Sequence, residues 1–302
     1  MFKNLTSREK KKIVWSYVFL TPQLFLYISL TIVPILVAVQ ILLTDRLNYT
    51  DPDVAFVGVN NFVEMFSNDS VRETYVDAVV RTLRFASVNY LMVYLFGLGL
   101  ALLMYEIGFR GGFFTIIYLP YMLSGLALGF ISVMLFSESS GTLNLLLLKL
   151  GILKDPINIK APGGTLVILP ILAGWRWAGF YLAIFLSGLL SIPIETIEAA
   201  IVDGANYRQR LIRVYFPQMI PSFIIATIFA MLNSFNIFDE LIALGGLYQN
   251  QAAQFLSIVV FNYAFMGNRL SLGMTIAVVT FVPLAIIALL LQRLQRRLRY
   301  DL

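Results

Sequence analysis

The chain has 302 residues, 59% hydrophobic and 13% charged, with a mean hydropathy of +0.81, which is more apolar matter than one water-soluble core can use. Lys and Arg outnumber Asp and Glu by 22 to 17, a net charge of +5; set in loops beside anionic headgroups, that excess is a feature of membrane topology and requires no nucleic acid. With no cysteine and no histidine, the sequence excludes disulfides, thiolate chemistry, imidazole metal ligands and a Ser-His-Asp triad.

The first 16 residues form a basic arm bearing Lys3, Arg8, Lys10, Lys11 and Lys12. An apolar run from Tyr17 to Leu43 follows, longer than the ~20 residues that cross ~30 Å of hydrocarbon. It is also too long for a signal-peptide core, so it is expected to stay as an uncleaved anchor. Residues 44–82 read as a polar insertion carrying Asp45, Asp51, Asp53, Glu64, Asp69, Glu73 and Asp77. Further spans are predicted at Phe85 to Tyr105, Phe114 to Phe136, Leu166 to Leu190, Phe223 to Leu244 and Leu272 to Leu291. Between the third and fourth, Leu145 to Leu150 is too short to cross and is expected at the interface. A tail over 293–302 holds Arg293, Arg296, Arg297 and Arg299.

Continuous apolar runs, rather than short alternating segments, separate this pattern from a β-barrel. The predicted fold is an all-α membrane protein with six transmembrane helices in one domain over 17–292. Basic residues favour the cytoplasmic side, so both termini are expected there, which an even number of spans satisfies. The loop after the fourth span, with Arg208, Arg210 and Arg213, falls on that same side, and the acidic insertion 44–82 falls outside.

The loop 191–221 is the most informative stretch. Pro193 and Glu195 suit the first turn of a helix, where a missing N–H is harmless and negative charge meets the positive end of the dipole. The helix is predicted to run to about Ala205. Ile194, Ile197 and Ile201 share one face, Glu195, Glu198 and Val202 the next, and Ala199, Ala200 and Gly204 leave small surfaces open to another body. An amphipathic connector resting on the membrane would show much of this.

The longer pattern goes further. Glu198-Ala199-Ala200, then Asp203-Gly204-Ala205, then Val214-x-Phe216-Pro217 resembles the EAA loop of bacterial and archaeal ABC importer permeases, with Val214 and Phe216 where that family has Ile and Leu. Phe56-Val57-Gly58-Val59-Asn60-Asn61-Phe62 resembles an external segment of the carbohydrate-type permeases, those akin to the maltose system's membrane subunits. Tyr118-Leu119-Pro120, Gly141-Thr142-Leu143-Asn144, Trp175 to Gly179, Leu186-Ser187-Gly188-Leu189, Phe238-Asp239 and Tyr263-Ala264-Phe265 extend the likeness over about residues 15 to 290. At the exit of the fifth span, Ala243-Leu244-Gly245-Gly246-Leu247 replaces the family's usual L-T-x-G-G-P.

The resemblance implies a type I ABC importer permease in a prokaryotic inner or plasma membrane. It implies pairing with a second homologous permease, two cytoplasmic ATP-binding subunits that hold ATP and Mg, and an extracellular or periplasmic solute-binding protein. Glu198, Ala199, Ala200, Asp203, Gly204 and Pro217 are then the ATPase-coupling residues. Consistent with this division, the sequence has no G-x-x-x-x-G-K-[ST] to cradle nucleotide phosphates.

Polar groups inside spans are costly and need a partner or a cavity. Asn233, Asn236 and Glu240 fall on one predicted helical face, with Phe229 one turn earlier; Ser234 and Asp239 lie beside them. Trp177, Phe180 and Tyr181 form an aromatic face next to Arg176. Amides beside aromatic plates suit a sugar, so Asn233, Ser234, Asn236, Trp177 and Phe180 are the candidate substrate-pathway residues. The same residues also serve ordinary interhelical bonding and headgroup belts. Arg176, Asp239 and Glu240 are expected to pair with each other, with the partner permease or with headgroups. Other solutes (a polyol, glycerol phosphate, a compatible solute), a secondary transporter and a membrane enzyme are the remaining readings, the last without a visible set of acid, base or metal ligands.

Overall fold

The computed structural model describes residues 7–108, 111–248 and 250–300; Lys3 of the basic arm and residues 301–302 of the tail lie outside them. Among the described residues the chain is helical, broken by turns and one isolated antiparallel bridge between Thr44 and Phe56. In order, the main helices are α1 (Lys11–Ile41), α2 (Asn60–Ser67), α3 (Asp69–Ile107), α4 (Gly111–Met122), α5 (Gly125–Leu135), α6 (Thr142–Lys149), α7 (Pro162–Leu190), α8 (Ile194–Val202), α9 (Ile220–Phe235), α10 (Asp239–Ala243), α11 (Leu256–Met266) and α12 (Leu270–Tyr300), with a further helical segment over 207–218. Five stretches are long and apolar enough to cross a bilayer: α1, α3, α7, α9 with α10, and α12; α4 and α5 together make a sixth.

That sixth differs from the straight Phe114 to Phe136 helix of the sequence reading. Its two arms meet at 90°. Pro120 offers no N–H, the chain tightens over Leu119–Met122, and Leu123 and Ser124 turn extended. The Ser124 hydroxyl then caps α5 by accepting from Ala127 N at 3.1 Å. Every residue at the break except Ser124 is apolar or glycine, so hydropathy passes straight over it. α3 also starts at Asp69, well before Phe85, so the second half of the predicted insertion is helix. In α1 the ladder widens over Ile28–Ile32, just where Pro34 cannot donate to the carbonyl four residues back.

The chain divides into two compact units, residues up to 68 with 263–276, and 69–262 with 277 onward. In the first, the end of α1 is secured by an unusually full set of partners. The carbonyls at and just beyond its end, those of residues 41 to 44, have no helical N–H four residues on to accept from, and each finds a donor elsewhere. Ser271 Oγ donates to Ile41 O at 2.9 Å, Val57 N and Gly58 N donate to Leu43 O, and Asn61 Nδ2 donates to both Leu42 O and Thr44 O at 2.7 Å. Arg269 pairs with Glu64, and Tyr49 stacks on Phe265. This gives the Phe56 to Phe62 motif its physical content: Asn61 is an amide clamp on a helix end.

In the second unit α7 is the central element, with 44% of its span window buried against 6% for α1. Pro162 opens it, where a missing N–H costs nothing. Two apolar clusters hang on it. One gathers Val93, Tyr181, Phe185, Leu189, Tyr215 and Met219; the other gathers Phe85, Leu128, Leu169, Ile237, Leu241 and Phe255. The loop before α7 is tied by Asn144, whose amide bonds Ser137 O, Ile157 O and Ile157 N, so α6 rests on a fixed loop.

Candidate coupling elbow and intramembrane polar cavity

α8 follows α7 after a short extended turn at Pro193, and Glu195 sits in its first turn. It ends in a two-bond cap: Ala205 N donates to Ala200 O and Gly204 N to Ile201 O, both at 3.0 Å, with Gly204 at φ +80°. The Asp203-Gly204-Ala205 sequence is thus a helix stop. A Cβ at Gly204 would meet no heavy atom of this chain within 4 Å, so within the chain glycine answers to the backbone angle and not to crowding.

The isoleucines do not act as one buried face. Ile197 alone is buried, packed into the cluster of Leu189, Tyr215 and Met219, whereas Ile194 and Ile201 are 56% and 51% exposed and Val202 is 86% exposed. Glu198, Ala199, Asp203 and Gly204 are also exposed, Ala200 and Pro217 half-buried. One residue anchors the helix, and its other apolar groups face outward.

The segment 207–218 begins with a capping box: Asn206 Oδ1 accepts from Gln209 N at 2.9 Å, and Asn206 N donates to Gln209 Oε1 at 2.8 Å. Arg210 Nη1 donates back to Ala205 O at 3.3 Å, with its guanidinium 5.9 Å from the Tyr207 ring centre. Partial burial, then the nearby Glu106 carboxylate, push the Tyr207 phenol up from its ordinary value. The ladder widens over Leu211–Tyr215, ahead of Pro217, which has no N–H to donate.

Within the span region, Phe85, Asn89, Ala173, Arg176, Trp177, Asn233, Asn236, Ile237 and Glu240 line a partly open cavity of about 70 Å³. That holds a few waters and falls well below the ~300 Å³ of small-molecule sites. Arg176 Nη1 pairs with Glu240 Oε1 at 3.0 Å, and its Nε donates to Leu123 O at 2.7 Å, the carbonyl freed by the break between α4 and α5. The pair is buried, 13% and 8% exposed, and Trp177 lies against the guanidinium at 5.4 Å. Asp239 stays exposed. A Cβ at Gly125 would come within 2.8 Å of Glu240 Oε1, so only glycine lets α5 start against this carboxylate.

The predicted pathway residues separate. Asn233 and Asn236 both line the cavity although the helix stops between them, α9 ending at Phe235 and Asn236 taking φ −96° and ψ 6°. Asn233 Nδ2 donates to Tyr181 OH at 3.3 Å. Ser234 points elsewhere: it is 1% exposed, donates to Ala230 O and accepts from Asn89 Nδ2 at 3.0 Å, joining α9 to α3. Phe180 lies in an aromatic cluster, stacked on Tyr121 at 5.6 Å and edge-on to Trp177 and Phe229. The sequence reading missed Tyr121, which follows the noted Pro120, and Asn89, an amide inside an apolar helix that the cost of burying polar groups singles out.

Residues 94–300 match the family described as binding-protein-dependent transport system inner membrane component. The chain belongs to this family. The permease is 27% identical, over 92% of both chains, to the probable starch degradation products transport system permease protein AmyD of Thermoanaerobacterium thermosulfurigenes. It is also 27% identical to the trehalose/maltose transport system permease protein MalF of Thermococcus litoralis, over 93% of this chain and 94% of that one. Among solved structures, it shares its fold with a chain of a bacterial ABC transporter importing the acidic polysaccharide alginate, at a TM-score of 0.79 and 22% identity over 96% of this chain and 98% of that one. A chain of the MetNI methionine ABC transporter matches 76% of the permease and 98% of its own length, at a TM-score of 0.52 and 17% identity. It is therefore a multi-pass membrane subunit of an importer, with the all-helical permease fold that the EAA-like loop implied.

Proposed function

We propose that this permease is the transmembrane pathway subunit of an ATP-driven importer for carbohydrate in a prokaryotic plasma or inner membrane, with both termini and α8 in the cytoplasm. It pairs with a second homologous permease. Two ATP-binding subunits bind ATP and Mg and supply hydrolysis, and a solute-binding protein delivers cargo on the other side. The observation that carries the reading is α8 itself, a short helix between two spans that buries Ile197 and leaves Ile194, Ile201 and Val202 bare beside Glu198. Exposed apolar groups ringed by polar ones mark a protein contact. Glu198, Ala199, Ala200, Asp203, Gly204 and Pro217 form or set that contact, and closure of the ATPase pair moves α8 with the attached spans as rigid bodies.

The relatives named for starch degradation products and for trehalose and maltose support a sugar cargo. Asn233, Asn236, Trp177 and Phe180 are its pathway contacts, reached when the small cavity widens; Ser234 serves the bundle. A second reading, a polyol, glycerol phosphate or compatible solute, shares the same amides. The pairing of Arg176 with Glu240 favours an uncharged cargo, because it leaves that basic group no unmet charge to offer a phosphate.

The test is co-purification with an ATP-binding subunit and a second permease, followed by Glu198→Lys and Gly204→Val in the full complex. Both variants are expected to insert and assemble yet lose solute-driven ATP hydrolysis and uptake. Wild-type uptake in both, or isolation of an active protein with no ATP-binding partner, would sink the reading.

A further inference from the structure

The turn between α8 and segment 207–218 occupies only residues 203–206 and includes a glycine at φ +80°. A four-residue turn with one glycine is the natural place for a hinge, and a hinge absorbs motion in its φ and ψ angles. Here the turn is closed three times over. The two bonds to Ala200 O and Ile201 O tie it to α8. The Asn206–Gln209 box ties it to the next segment. Arg210 then crosses from that segment to Ala205 O, linking one cap to the other.

Arg210 differs from its neighbours. Arg208 and Arg213 are exposed, as basic groups that face headgroups are, whereas Arg210 is half-buried with Tyr207 beside its guanidinium. Ile197 supplies the apolar counterpart, packed with Tyr215 and Met219 at the end of the same segment.

We propose that Arg210 and the Asn206–Gln209 capping box are positioning residues that fix the angle of α8 to segment 207–218, so that force on α8 reaches α9 without being lost in the turn. This rests on reading α8 as the ATPase contact. The three groups touch neither solute nor nucleotide; they set how much of the stroke is delivered.

The chain has no cysteine, so spin labels placed through Thr196→Cys and Ile212→Cys, both at exposed positions, report the angle alone. In the full complex, wild type is expected to give a narrow interlabel distance distribution. Arg210→Ala combined with Asn206→Ala is expected to broaden it and to lower solute moved per ATP about five-fold, the fold-change of one lost cap. Radiolabelled maltose and trehalose serve as probes. Arg210→Lys and Asn206→Asp, which keep a donor and a cap acceptor, are expected to restore both readouts. An unchanged distribution and ratio in the double variant, with Glu198→Lys still uncoupling, overturns the brace and leaves the coupling helix standing. Should Glu198→Lys also transport normally, the coupling reading falls and the inference with it.

Discussion

Removing both members of the Arg176–Glu240 pair is expected to damage this protein less than the two single losses added together. Arg176 donates two charge-assisted hydrogen bonds, to Glu240 Oε1 at 3.0 Å and to Leu123 O at 2.7 Å, in a site where the side chains are 13% and 8% exposed. Each such bond contributes about 1.5–3 kcal/mol, and breaking a buried pair by deleting one partner costs about 3–5 kcal/mol because the other charge is stranded. Arg176→Met therefore costs about 3–5 kcal/mol, losing both bonds and leaving a desolvated carboxylate. Glu240→Gln costs less, about 2 kcal/mol, since the amide oxygen still accepts from Arg176. In the double variant the stranded charge disappears, so the loss should fall short of the sum by at least 2 kcal/mol. The assay is a double-mutant cycle by reversible unfolding of the purified chain in mixed detergent micelles, followed by tryptophan fluorescence. Single losses that add to the double within about 0.5 kcal/mol would mean the two groups do not sense each other, and would refute the pairing as an energetic unit.

Asn61→Leu removes both donors from Leu42 O and Thr44 O and should destabilise the end of α1 by about 2–4 kcal/mol, seen as faster proteolysis over 44–60. Gly125→Ala should lower the melting temperature while Gly99→Ala, with nothing within 4 Å of its new Cβ, should not, because only the first forces a methyl against Glu240. Asn233→Ala and Trp177→Ala should raise the solute concentration at half-maximal uptake several-fold without changing the ATP consumed per solute. A change in that ratio would place them in coupling and not in the pathway.

Most of the architecture was legible because crossing a bilayer imposes length and hydropathy directly on the sequence, as in α1, α7 and α12. The third span was not, since Leu119 to Leu123 is as apolar at a right-angle break as in a straight helix, and only Pro120 and Ser124 mark it. In the loop after the fourth span the glycine was legible, and the structure adds a reason within the chain that the sequence did not give: Gly204 takes a left-handed turn that closes α8. Ile194 and Ile201 were placed on the face of Ile197, but helical spacing does not tell which of three neighbours turns inward. Asn233 and Asn236 meet in one cavity across a helix end, so their shared face was found although the continuous helix assumed for it is absent. Ser234 looked equivalent to them in sequence; its bond to Asn89 depends on α3, far away along the chain.

α1 is stepped like a mast, fixed at its foot by Asn61 and Ser271 and bare along nearly all its length. Its side chains owe little to the rest of their own chain. Swapping Leu, Val and Phe along it alters what surrounds the protein more than what lies inside it, so drift there is cheap. Asn61 and Ser271 hold its footing by their side chains, and at those two positions the freedom ends.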